Sequence, residues 1–419
     1  MEITKTIKYV GVDDLDIDLF ESQYVVPEGM AYNSYIILDE KVAIMDTADA
    51  RKRAEWWANV ENVLDGRTPH YLVVQHIEPD HASLIAEVLE KYPQLKVVAT
   101  AKAVQMMPQF FPAADFAERT IAVKEGDTLC LGSHTLQFFT APMVHWPEVM
   151  VCYEQSEKVL FSADGFGKFG ALCNEASWEC EARRYYFNIC GKYGVQVQAL
   201  LKKAAMLDIN IICPLHGPVL SENLGHYIGL YDTWSKYEPE TEGVFVAYAS
   251  IHGGTAVAAD KLAEMLREKG APNVVVTDLS RCVMAEAVED AFRYSHMVVC
   301  AASYDADVFP PMHDFLHHLK IKNFQNRKVA IMENGSWAPT AGRVMRGMLE
   351  GMKNIEIVEP MVTIRSRMNE RWRYSCDGAV GGRIVGLRDW YANWIMPGIQ
   401  NARHSFVNNG NYLFYVNKM

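Results

Sequence analysis

From residue 244 onward the chain alternates short apolar runs with amphipathic stretches, a pattern that few architectures accept. The runs are Val244–Ala249, Val274–Thr277, Met297–Ala301, Lys328–Met332 and Ile355–Val358. Between them, apolar residues recur at helical spacing over 255–269, 284–294, 310–320 and 341–352. Five short strands with a helix after each of the first four predict a parallel, doubly wound α/β sheet.

The first half has a different texture. Strand-like runs such as Ser34–Leu38, Val42–Met45 and Thr135–Phe139 are interleaved with loops, and amphipathic segments fall at Arg51–Leu64, Ala82–Lys91 and Trp178–Met206. The polar stretch Lys236–Gly243, with Pro239 and Gly243, has the composition of a linker. The expected division is therefore a first domain over 1–243 and a second over 244–373. From Tyr374 the βα pattern breaks, and 374–419 is set apart as a C-terminal extension of unknown structure. The basic run Arg365–Arg373 is read as a solvated helix face.

A chain of 419 residues, half of them hydrophobic, is long enough to build two or three cores. Its formal charge of −12 argues against nonspecific nucleic-acid binding, which needs clustered Lys and Arg. No apolar stretch reaches the length of a membrane span, and the N-terminus lacks a signal-peptide layout. Nine cysteines are scattered without any C-x-x-C pair, several inside apolar runs such as Ile211–Cys213, as expected of reduced core thiols. The cytoplasm is the expected compartment. The missing C-x-x-C pairs also argue against a built-in rubredoxin or zinc ribbon.

Chemistry concentrates at strand ends. His76-Ile77-Glu78-Pro79-Asp80-His81 follows the apolar run Tyr71–Val74 and offers four metal ligands in six residues. His145 follows the strand at 135–140, Asp164 follows Leu160-Phe161, and His216 follows Ile211–Cys213. Each segment runs strand, ligand, then a small or turn-forming residue, and such ends can surround one point at a sheet edge. Imidazoles and carboxylates without thiolates suit a hard or borderline ion. Seven ligands divide over two ions: His76, Glu78 and His145 on one, and Asp80, His81 and His216 on the other. Asp164 is placed as the bridge, because a shared carboxylate offsets the repulsion between two cations. Glu78, standing where a dizinc hydrolase would suit a histidine, favours iron or manganese.

The order His-x-Glu-x-Asp-His, His-Trp-Pro, Ser-x-Asp-x-Phe-Gly, Pro-x-His-Gly-Pro resembles the metallo-β-lactamase-like domain of the flavodiiron proteins, or A-type flavoproteins. The segments Ala31–Tyr35 and Glu40–Thr47 are similar to that family too. The resemblance covers about residues 1–372. It implies an αβ/βα sandwich followed by a flavodoxin-like sheet of strand order 2-1-3-4-5. It further implies a non-haem di-iron centre that reduces O2 to water, NO to nitrous oxide, or both. Electrons would come from an external donor such as rubredoxin through FMN, and a head-to-tail homodimer would bring one subunit's flavin near the other's irons. Tyr186 resembles a tyrosine that approaches the metals in relatives; the other reading makes it a core aromatic on a long helix.

The flavin reading has support in this chain's own residues. Strand 244–249 runs into Ser250-Ile251-His252-Gly253-Gly254-Thr255 and then a helix, whose N-terminal N–H groups and dipole suit a phosphate. The Gly-Lys-Ser/Thr ending of a Walker loop is absent. Ser303, Tyr304, Asp305, Ala306 and Asp307 follow the third strand, and Asn334, Gly335, Ser336 and Trp337 follow the fourth. Tyr304 and Trp337 are suited to flank an isoalloxazine. FMN is preferred to FAD because no second nucleotide-binding G-x-G-x-x-G occurs. Two rivals remain open: a dizinc hydrolase fused to a flavodoxin module, and an electron carrier with an inactive metal site.

Overall fold

The computed structural model describes residues 2–368 apart from 115, 117, 175 and 176. The expected extension at 374–419, and most of the basic run at 365–373, lie outside the described residues. The chain divides into two units, 1–240 and 241–419.

In the first unit two sheets face each other. One has the order Ile7–Tyr9, Tyr35–Ile37, Ala43–Met45, Tyr71–Val73, Lys96–Thr100, Thr120–Val123. Its first pairings are antiparallel and its last three parallel. The other runs Thr128–Cys130, Thr135–Thr140, Met150–Glu154, Val159–Phe161, Ile211–Cys213, and only its last pairing is parallel. Side chains alternate along a strand, so each sheet gives one row to the shared core. Tyr35, Ile37, Met45, Val73 and Val98 meet Leu136, Phe138, Met150, Cys152 and Phe161 there. Helices bury apolar stripes elsewhere, as Arg53–Leu64 does with Trp56, Val60 and Leu64. This is the expected αβ/βα sandwich.

The segment 178–206 is not one long helix. It breaks into Trp178–Ile189, a turn of 3-10 helix at Gly191–Tyr193, and Gly194–Ala204. The break lies where the chain passes tightly against the C-terminal end of helix Leu224–Ser235. A Cβ on Gly194 would stand 2.3 Å from the Ser235 carbonyl oxygen, so only glycine fits. The Lys236–Gly243 stretch is also less of a linker than its composition predicts. Glu240 accepts from both Arg183 and the Trp234 indole, and Thr241 already begins the next strand.

In the second unit the strands lie in the order Val274–Asp278, Thr241–Ala249, Tyr294–Tyr304, Arg327–Asn334, Ile355–Ile364. All these pairings are parallel, which is the 2-1-3-4-5 order. Helices Gly254–Glu268, Met284–Arg293, Pro310–Ile321 and Ala341–Glu350 connect them. The strands extend one to six residues past their apolar cores, because ladder hydrogen bonds continue where side chains turn polar. Among the described residues, no helix is long and apolar enough to cross a membrane.

Candidate metal centre and flavin cleft

Three strands of the second sheet run the same way and end at one edge. Phe161 pairs with Cys213, so Asp164 and His216 emerge side by side three residues later, and the Leu215 N–H donates to the Ala163 carbonyl at 2.9 Å. His145 follows Thr140 at the same edge, and the loop after Tyr71–Val73 arrives from the first sheet. In that loop the chain is extended through Glu78, so His76 and Glu78 point to the same side. Pro79 then opens a single helical turn, Pro79–Ala82, which turns Asp80 and His81 elsewhere. The split of one motif between two ions is therefore a consequence of a strand-to-helix change inside it.

Two ligand groups result. His76, Glu78, His145 and Asp164 form one, and Asp80, His81 and His216 the other. Glu78 Oε2 lies 3.1 Å from His76 Nε2 and 3.0 Å from His145 Nε2, and Asp164 Oδ2 lies 3.1 Å from His145 Nε2. In the second group, Asp80 Oδ2 is 3.1 Å from His81 Nε2 and 3.2 Å from His216 Nε2, with Asp164 Oδ1 3.5 Å from His81 Nε2. Such spacings are near the edges of a coordination shell with bonds of about 2.1 Å. Asp164 turns one oxygen to each group.

Whether these residues suit cations is decided by their unmet bonding. Among the described residues, both oxygens of Asp80 and Oδ1 of Asp164 are buried without a well-aligned hydrogen-bond donor, and only the neighbouring imidazoles offset their charge, a role that a bound cation would take. A third acidic and histidine group, His134, Glu154 and Glu157, offers the contrast. There His134 Nδ1 pairs with Asp39 at 2.8 Å, Glu157 accepts from Thr4 and Thr6, and Glu154 accepts backbone N–H groups. That cluster satisfies itself and needs no ion.

Charge balance agrees. Burial opposes charge on Asp80 and Asp164, yet the surrounding imidazoles hold both carboxyls below the usual range, His81 foremost for Asp80 and His76 for Asp164. Burial likewise opposes charge on His76 and His145. The neighbouring carboxylates together outweigh it, Asp164 foremost, with Glu148 and Glu78 on His76 and Glu78 on His145, lifting His76 well above the ordinary value and His145 to about 9. A cation would take the place of those protons.

Outside the ligands, a polar frame fixes the loops. His76 Nδ1 meets Glu148 Oε1 at 2.7 Å, and His216 Nδ1 meets the Ala31 carbonyl at 2.7 Å, which sets each ring to present Nε2 inward. His81 differs, since its Nδ1 has no partner; its backbone carbonyl is held by Thr47 instead. Asn33 donates to the Pro214 and Gly217 carbonyls, and the Tyr35 hydroxyl also donates to Pro214. Gln75 donates twice to Asp46, whose carboxyl burial pushes up to about 6. Met143, Ala163 and Gly217, each beside a ligand, sit in the left-handed region.

Tyr186 does not approach the metals. Its ring is buried among Phe187, Tyr231 and Trp234. The preceding residue turns the other way: the Tyr185 ring lies 5.4 Å from the His216 ring. Neighbouring helix positions point about 100° apart, so the tyrosine pair left the facing one undecided in sequence. Glu148, Tyr185 and the hairpin Leu19–Phe20/Tyr24–Val25 were also not singled out in the sequence. Phe20 packs edge-on to His216 at 5.5 Å. Glu21 at the hairpin tip has its carboxyl pushed up to about 7, by desolvation and then by Glu78. The three-residue loop Glu21–Gln23 holds Glu21 and Ser22 at positive φ without the Gly, Asn or Asp that marks such a turn in sequence.

In the second unit, the loops after the first, third and fourth strands enclose a cleft of about 620 Å³. Ser250, Ile251, His252, Gly254, Thr255, Ser303, Tyr304, Asp305, Ala306, Asn334, Gly335, Ser336 and Trp337 line it. Gly253 and Asp307, also expected there, do not. Gly253 is the left-handed cap of the helix, and Asp307 pairs back on Tyr304 across a tight turn. The lining also includes Thr340, Ser366 and Arg367, which the sequence did not point to. Asn334 ties the loops together by donating to Thr255 and to the Ser366 carbonyl, and accepting from the Ser366 N–H. Among the described residues, Ser250 Oγ is buried without a hydrogen-bond partner in the loop before helix Gly254–Glu268, where a phosphate oxygen would supply one. Tyr304 and Trp337 stand 46% and 89% exposed, aromatic faces left open beside the cleft.

Residues 30–217 match the family model described as "ODP family beta lactamase". The rubredoxin-oxygen oxidoreductase of Megalodesulfovibrio gigas is 27% identical, over 84% of this chain and 90% of its own. The solved rubredoxin oxygen:oxidoreductase of Desulfovibrio gigas aligns with a TM-score of 0.83 and 25% identity, over 88% of this chain and 94% of that one. The flavodiiron protein of Giardia intestinalis shares the fold, with a TM-score of 0.82 at 23% identity over 88% and 92%. The homologues and structural neighbours of this chain are flavodiiron proteins with a metallo-β-lactamase-like domain. This chain spans about half the length of two diflavin flavoproteins of Synechocystis sp. and 70% of an anaerobic nitric oxide reductase flavorubredoxin of Vibrio vulnificus, which is 27% identical over 80% of this chain.

Proposed function

We propose that this chain is a flavodiiron oxidoreductase that reduces O2 to water, NO to nitrous oxide, or both, at a pair of irons, with FMN relaying electrons from an external donor. The names of the M. gigas and V. vulnificus relatives support both the gas substrates and a rubredoxin-type donor. The observation that carries the reading is Asp164, with its two oxygens turned to two separate ligand groups.

When bound, the irons supply redox chemistry and a face for the gas, and FMN supplies two-electron to one-electron exchange. His76, Glu78 and His145 would hold one ion, Asp80, His81 and His216 the other, and Asp164 would serve both. Glu148 and the Ala31 carbonyl keep the His76 and His216 rings turned inward. Phe20 and Tyr185 pack on His216 and exclude water from that side. The Ser250–Thr255 turn would take the FMN phosphate, and the Ser303–Ala306 and Asn334–Trp337 loops would take the ring system. A head-to-tail homodimer is the proposed assembly. The buried thiols of Cys152, Cys190, Cys213 and Cys300 support residence in the reducing cytoplasm.

Metal and flavin analysis of the purified protein, followed by anaerobic single-turnover mixing with O2 and with NO, tests the reading. Two irons and one FMN per chain, with flavin reoxidation by either gas, are expected. Two zincs would establish the hydrolase rival, and iron with flavin but no reaction with either gas would establish the carrier.

A further inference from the structure

The row of side chains opposite the inter-sheet core carries a second feature. Phe139, Val151 and Leu160 point away from that core, and helix Gly194–Ala204 covers them with Val197 and Leu201. Between the two lies a cavity of about 30 Å³ with no polar atom on its wall. The polar residues at its edge are turned away: Ser162 Oγ donates to the Gly165 carbonyl, and Lys203 Nζ donates to Glu125 and the Thr140 carbonyl.

A water in such a space needs two to four polar partners and finds none, although about 10–15 Å³ would be room enough. The cavity is therefore dry, and its size suits a particle of two heavy atoms. Part of its wall belongs to the ligand loops. Val144 in its wall immediately precedes His145, and Ser162, Gly165 and Phe166 flank Asp164. Phe166 is pinned there, since its N–H donates to the Tyr231 hydroxyl at 2.7 Å and its ring packs on Tyr231 at 4.4 Å.

We propose that this cavity is a binding site for a small apolar gas, holding the diatomic substrate directly behind the His145 and Asp164 loops. The binding claim stands on the cavity alone; the role in supply rests on the function proposed above.

Crystals of the full chain pressurised with xenon test the binding claim. A xenon peak is expected between Val197 and Leu160, absent in Val197→Phe, whose ring fills the space, and stronger in Leu201→Ala, which enlarges it. Should Val197→Phe fail to fold, Leu201→Ala still decides. Ordered water in the cavity, or xenon bound only elsewhere, overturns the proposal. Oxygen uptake then tests supply: Val197→Phe is expected to raise the KM for O2 about tenfold, as loss of one small apolar subsite would, with kcat and metal content kept. An unchanged KM in a variant that has lost xenon overturns the supply role. A holoprotein that binds xenon but consumes neither O2 nor NO would sink the proposed reductase activity, and with it supply, and leave the gas site standing.

Discussion

The two units build their sites by opposite means. In the first, seven side chains converge in the interior, and some are oriented by hydrogen bonds from behind, as His76 is by Glu148 and His216 by the Ala31 carbonyl. In the second, three loops at strand ends leave an open cleft whose lining is largely small residues and backbone, with two aromatic rings exposed beside it. A metal bond is short and directional, so each ligand must come from one residue type at one place. A flavin is held by many weaker contacts, and few of them demand a particular side chain.

Substitutions can break that contrast, beginning with the shared carboxylate. Asp164→Ala removes a ligand from both groups, so metal analysis is expected to show less than one ion per chain, with activity down by more than about 100-fold. Retention of two ions would remove the bridging role. Glu148→Gln acts one layer out, through His76. Competition with a chelator should show metal affinity weaker by about 10- to 100-fold, while flavin content stays unchanged.

In the cleft the effects should be smaller. Trp337→Ala and Tyr304→Ala are each expected to weaken FMN binding by about tenfold, the worth of one aromatic stack. Stability should hold within about 0.5 kcal/mol because both rings are exposed. Fluorescence titration of the apoprotein with FMN measures the first, and denaturant melts the second. A complete loss of flavin from either variant would mean that this site, too, depends on single residues.

The smallest effect belongs to the self-satisfied cluster. Desolvation disfavours the Asp39 carboxylate, but hydrogen bonds from His134 and Glu40 outweigh it and hold its pKa below the ordinary value. Its stabilising contribution is therefore present above about pH 4 and lost as the pH falls through the folded-state value. Asp39→Asn should be less stable than the parent at pH 7, and the gap should close on acidification. A gap that stays constant with pH would assign the effect to packing instead.

The seven side chains that the fold gathers into two groups were legible because their segments follow apolar strands. The doubly wound sheet was legible because its apolar runs and helical spacings alternate without interruption. Glu148 was not legible. It lies 72 positions from His76, in a loop with nothing to mark it, and only the pairing of Thr135–Thr140 with Met150–Glu154 returns it to the site. Tyr185 and Tyr186 were both visible as aromatics on a helix, and the orientation of that helix chose between them.

Local sequence, then, determined which residues can bind cations or cradle a phosphate, and where strands stop, because those properties travel with the residue. The tertiary structure decided which oxygen of Asp164 faces which group, which tyrosine faces His216, and that a dry space remains behind the ligand loops. Such outcomes depend on register and packing between segments far apart in the chain, and no local pattern encodes a distance.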